Sequence, residues 1–294
     1  MPAHLLVFLL IALLVGCEWK TEDDAAGPTP PSRAELTSNT PPDPKFPVVP
    51  TQRNQRDPLP DNSLTTTHYI QLGLPAPDRP WMGAEFARVA MIIGKLAEHD
   101  ATQLPRFQSS TSGQIFARLV SKQNLDFYRN ASMPLQQRIQ DIIAYTQGLN
   151  TVLWRYVTIS TQRSGLESEI VELAGAMMHV SVIMQELTDE LLPQLDPTDP
   201  TYPTRMQGLE RLKNGFAITF AGALQMLEET DRYEIKDLQR LLGHLQATLP
   251  TITPHLNEGS QLENLVKIEK LIKKSEIKEL KPGLETLYAQ LNPQ

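Results

Sequence analysis

The chain has 294 residues, 40% hydrophobic and 6% aromatic, a composition that can fill a core and excludes a wholly disordered protein. A formal net charge of -7 argues against a general nucleic-acid binder, whose footprint is basic. The one cysteine, Cys17, permits no intramolecular disulfide, and its position near the N-terminus says more than its number.

Leu5 to Val15 is an almost unbroken apolar run, too short for a spanning helix and suited to the apolar region of a signal peptide. It ends in Leu14-Val15-Gly16-Cys17. This tetrapeptide resembles the lipobox of bacterial lipoproteins, although the stretch before Leu5 holds no Lys or Arg. The resemblance covers residues 1–17 only. It implies a signal peptide over 1–16, cleavage after Gly16, lipidation of the Cys17 sulfur and acylation of the new amino group by a fatty acid such as palmitate. It further implies a bacterial cell envelope location, with the membrane as partner through the N-terminal lipid. Glu18, where an aspartate favours inner-membrane retention, leans toward the outer membrane. Acyl chains at about 0.8 kcal/mol per buried CH2 anchor firmly when two or three share one residue.

Residues 17–62 are rich in Pro, Thr, Asp and Asn, and no helical or strand period survives there. The composition predicts a disordered linker of extended polyproline character, about 140 Å long at full stretch. Residues 63–294 then form one all-helical domain. Over 63–80 the chain reads as extended, because Pro75, Pro77 and Pro80 rule out a long helix.

Helices are predicted over about 81–98, capped by Asp78, and about 111–129. Next comes the feature that organises the rest, a helical hairpin over about 134–192. Leu135, Ile139, Ile142, Thr146, Leu149, Leu153, Tyr156 and Ser160 alternate steps of four and three. Leu166, Ile170, Leu173, Met177, Val180, Met184, Leu187 and Leu191 repeat the rhythm. Ser164 to Glu167 fits a capping box between the arms. Val152, Val157 and Ile183 widen the apolar stripe beyond a two-stranded seam, which calls for more than one neighbour. Further helices are expected over about 204–230, from Ile235 to Pro250, from a Ser260/Glu263 cap onward, and from Pro282 to Leu291. The last but one carries Leu262, Leu265, Val266, Ile268, Leu271 and Ile272. The fold class is therefore all-α, a multi-helix bundle built around the long antiparallel hairpin.

Chemistry is sparse. No H-E-x-x-H, Walker A, G-x-S-x-G or C-x-x-C-H pattern occurs, so the expectation is no enzyme, no cofactor and no metal. His179 stands beside Met177, Met178 and Met184, a set with a taste for copper, but lies about 200° around the helix from Met177. Glu186, Asp189, Glu190, Asp196 and Asp199 form an acidic cluster that reads either as a cation site or, without a recognised calcium-loop pattern, as solvated charge. Lys267 to Lys281 is the one basic patch; it could meet anionic headgroups or another acidic surface, although Glu263–Lys267 and Glu269–Lys273 have the spacing of ordinary helix-stabilising pairs. Gly208, Gly215 and Gly222 recur every seven residues, which suggests either close approach of a neighbouring helix or an apolar groove beside Phe216 and Phe220. The functional expectation is a non-catalytic, lipid-anchored lipoprotein presenting a helical bundle to a protein or cell-wall partner. The alternative is a carrier of a small apolar ligand in a groove near 208–222.

Overall fold

The computed structural model describes residues 57–59, 83–107, 117, 120–130, 132–274 and 278–292. The signal peptide, Cys17, nearly all of the linker and Asp78 lie outside the described residues, as do residues 111–116, 118 and 119 of the helix expected over 111–129.

Seven long helices pack together. They are α1 (Gly83–His99), α2 (Leu135–Ser160), α3 (Glu167–Leu191), α4 (Tyr202–Met226), α5 (Ile235–Ile252), α6 (Glu258–Lys274) and α7 (Lys281–Leu291). A four-residue helix, Lys122–Leu125, starts at a Ser121 cap and runs into a 3-10 turn, Asp126–Arg129. The described end of the expected second helix is thus a separate short element.

The hairpin α2–α3 is the centre of the bundle, as its periodicity requires. Ile142, Leu149, Leu153 and Tyr156 of α2 are buried against Ile170, Leu173, Met177 and Val180 of α3. On the other side of α2 lies α1, with Phe86 stacked on Tyr145 at a centroid distance of 4.2 Å. Tyr128 meets the same Tyr145 edge-on at 5.8 Å. The back of α3 is apolar too. Val171, Met178 and Val182 enter a second core with Phe220 of α4, Leu241 of α5, Ile268 of α6 and Leu287 of α7. Among the described residues α3 is the one helix long and apolar enough to cross a membrane, yet it is mostly buried in protein. It is apolar on two sides because it has a core on each.

The turn between the arms differs from the expected capping box. Glu167 reaches back to the N–H of Gly165 at 2.6 Å, and Leu166, without a side-chain cap bond, precedes the helix. Ser164 is instead in a two-residue parallel bridge, Asp57–Pro58 with Arg163–Ser164. Gly165 has φ +92°, a conformation that favours glycine. Residues 57–59, read from sequence as linker, therefore already lie on the helical body: Leu59 N–H donates to Ser164 O at 3.0 Å, and its side chain is buried. Arg106 clasps this junction, donating to Leu59 O at 3.3 Å and to Gly165 O, with Glu169 3.5 Å from its Nε.

Two other local expectations shift. Helix α6 begins two residues before Ser260, because Asn257 Oδ1 accepts from Ser260 N–H at 2.8 Å and caps it. Its buried face is Asn264, Ile268 and Leu271, while Leu262 and Val266 are exposed. Lys273 pairs with Glu269 at 2.5 Å as its spacing requires, but Lys267 donates to Ala221 O of α4 at 3.3 Å.

Candidate functional site

The densest polar constellation runs between α3 and α5. Ser168, Glu172, Gly175 and His179 are spaced by four, three and four residues, so they line one stripe of α3. Asp237, Arg240 and His244 line the facing stripe of α5 by the same logic. Arg240 donates to Glu172 Oε1 at 2.8 Å and to Ser168 Oγ at 2.6 Å, and also pairs with Asp237. The guanidinium fork suits three acceptors at once.

Glu172 Oε2 lies 3.7 Å from His244 Nε2, a charge contact longer than a hydrogen bond. On the far side of the same ring, His244 Nδ1 is 3.3 Å from His179 Nε2. A proton on His244 Nε2, facing the carboxylate, leaves a lone pair on Nδ1, and the His179 Nε2–H is the donor that fits it. The ring centroids are 5.5 Å apart. For nitrogens 3.3 Å apart, that spacing sets the rings nearly end to end, as in a hydrogen bond, rather than converging on a shared ion. Glycine at 175 makes the arrangement possible: a Cβ there would stand 2.5–2.7 Å from three atoms of the His244 ring.

The electrostatics are graded along the chain of groups. His244 first, then Arg240, holds the Glu172 carboxyl below its usual range against the opposing effect of burial. Burial, then His244, Lys122 and Arg129, pushes His179 down to about 4, with Asp126 opposing. At neutral pH Glu172 is a carboxylate and His179 a neutral imidazole, with the His244 ring between them. Among the described residues no group of three or more His, Cys, Asp or Glu converges for a metal ion.

Sequence reasoning put His179 on the side of α3 away from the seam methionines, and there it lies. It missed the partner, because Ser168-Glu172-His179 and Asp237-Arg240-His244 are polar stripes on different helices. Two polar stripes on otherwise amphipathic core helices were the available signal.

The other candidates separate. In the acidic cluster Glu186 takes Arg129 at 2.6 and 3.0 Å, and Glu190 takes Arg138 at 2.6 Å. Asp189 accepts from Gln185 at 2.8 Å. Asp196 and Asp199 each bind a Thr two residues on, at 2.7–2.8 Å. Each carboxylate has its own partner, and the five do not gather around one point. On α4, a Cβ at Gly208 or Gly215 would meet nothing within 4 Å, so close helix approach does not explain these two glycines. Beside Gly215 and Phe216, with Met177, Met184 and Leu212, lies a cavity of about 20 Å³. That volume is on the scale of a water molecule, far below the ~300 Å³ at which ligand pockets begin. His68 and Cys17 lie outside the described residues.

Comparison of the chain with protein-family models, with curated proteins and with solved structures found no match in any of the three.

Proposed function

We propose that this is a lipid-anchored lipoprotein of the bacterial cell envelope, outer-membrane rather than inner, whose helical head binds a protein or cell-wall partner through its surface. The observation that carries the reading is Leu14-Val15-Gly16-Cys17 at the end of an apolar run. A proline-rich stretch follows it, and the head beyond has two well-filled cores. The two packed cores, with a cavity of only about 20 Å³ beside Phe216, suit recognition by surface better than turnover of a small substrate. The reading is non-catalytic, with Cys17 as lipid attachment point and no nucleic-acid partner.

The test is fractionation of cells expressing the chain and its Cys17→Ser variant. The parent is expected in the membrane pellet and the variant in the soluble fraction. Equal pelleting of both would overturn the anchor. Cross-linking in intact cells, followed by purification from solubilised envelopes, then identifies the partner; repeated recovery of the bare chain counts against surface recognition. The alternative, a carrier of a small apolar ligand, requires the cleft beside Phe216 to open well beyond its present volume.

A further inference from the structure

One helix carries a surface at odds with the rest of the molecule. The protein is acidic overall, at -7, yet residues 266 to 281 hold six lysines against three glutamates. On α6 the steps from Leu262 to Val266 to Lys270 to Lys273 are four, four and three, which keeps all four on one face. The opposite face, Asn264, Ile268 and Leu271, is the one buried against the bundle. Leu262 is 63% exposed and Val266 55%, the two most exposed of the large apolar side chains among the described residues. Lys270 and Lys274 are exposed beside them, Lys273 shares its charge with Glu269 one turn back, and Lys281 continues the positive charge at the start of α7. From the sequence Leu262 and Val266 are apolar residues of this helix like Ile268 and Leu271; the fold separates them onto its exposed face.

Solvent-facing aliphatics one turn apart, followed along the same face by cations, have the chemistry of an interfacial helix. The aliphatics reach the headgroup boundary while the lysines meet lipid phosphates. The ridge belongs to a single helix on the outside of the bundle, which suits a plane of headgroups better than a groove. We infer that the outer face of α6, Leu262-Val266-Lys270-Lys273, docks the head onto an anionic phospholipid surface. The inference rests on the anchored reading for the nearness of a bilayer, but not for the affinity of the face itself. Cys17 lies 40 positions before Asp57, a chain length that keeps an anchored head within reach of the bilayer.

The experiment uses residues 17–294 carrying Cys17→Ser, which contain every described element and no lipid. Co-sedimentation is measured with vesicles of phosphatidylglycerol and phosphatidylethanolamine and with vesicles of phosphatidylcholine. Binding to the anionic vesicles is expected to exceed that to the neutral ones by about tenfold or more, and to fall as salt rises. Lys270→Glu/Lys273→Glu is expected to remove about tenfold of it, and Leu262→Ser/Val266→Ser several-fold. Met91→Ser, which alters an exposed apolar residue on α1, should leave it unchanged. All four replaced positions on α6 lie outside the buried face, and circular dichroism checks that each variant folds. Equal partition to both vesicle types, or anionic binding that survives the double charge reversal, overturns the inference. So does capture by an immobilised acidic polypeptide with no vesicle binding, which would make the partner an acidic protein instead. The Cys17→Ser fractionation reads the anchor alone, so either claim can fail while the other stands.

Discussion

His179 is held neutral by burial first, then by His244, Lys122 and Arg129, with Asp126 pulling the other way. Its ordinary value of 6.5 falls to about 4 in the fold. Between those values the unfolded chain binds more protons than the folded one, so stability rises with pH through that window. The contribution is present above pH ~6.5 and is lost as pH falls toward ~4. Because the ring is only partly buried, a drop on the order of 1 kcal/mol between pH 7 and 5 is expected. Urea unfolding across that range measures it, and His179→Gln should flatten the profile; an unchanged slope in the variant would mean other groups set the pH dependence. Gly175 makes the complementary case. Gly175→Ala brings a methyl against the His244 ring and should cost about 1–3 kcal/mol through overpacking. His244→Ala made in the same chain should recover much of that loss, and strict additivity of the two would refute the steric account. None of this was legible from sequence. His179 and His244 are 65 positions apart, and no spacing rule relates side chains that meet only once two helices have packed.

At the scale of elements, apolar periodicity was informative wherever a helix packs on one side or two. The hairpin arms, α5 and α7 all fall within a few residues of where their patterns put them. On α6 the apolar residues are spread around enough of the circumference to allow two registers. The one chosen by packing buries Asn264 and exposes Leu262 and Val266. Caps also moved: Asn257 begins α6 where Ser260 with Glu263 looked equally suitable, because the two signals lie within a turn of each other. On α4 the glycine period was real but its expected cause was not. Open space surrounds the Cβ positions of Gly208 and Gly215, so neither residue is required there by contact. Gly208→Ala and Gly215→Ala should each stabilise the protein by about 0.5–1 kcal/mol, the ordinary gain in helix propensity. Chemical denaturation of the two single variants decides it. A loss of stability at Gly215 would show that the cavity beside Phe216 must stay open.

For the whole molecule, α3 is decisive because it is a wall common to both cores. Leu173 and Val180 face the core shared with α1 and α2, while Val171, Met178 and Val182 face the one formed with α4 to α7. Neither core can lose α3 and keep its packing, so the two should melt together despite their different partners. Met178→Ala tests this from one side only. Met178 is fully buried in the second core, and its truncation should cost about 2–4 kcal/mol. In a chain whose Trp19 and Trp81 are replaced by Phe, fluorescence reports Trp154 on α2, outside that core. Circular dichroism reports all the helices. With a shared wall, Met178→Ala lowers the midpoint of both signals equally and leaves a single transition. If the cores are independent, the dichroism splits into two steps and the Trp154 midpoint stays where it was.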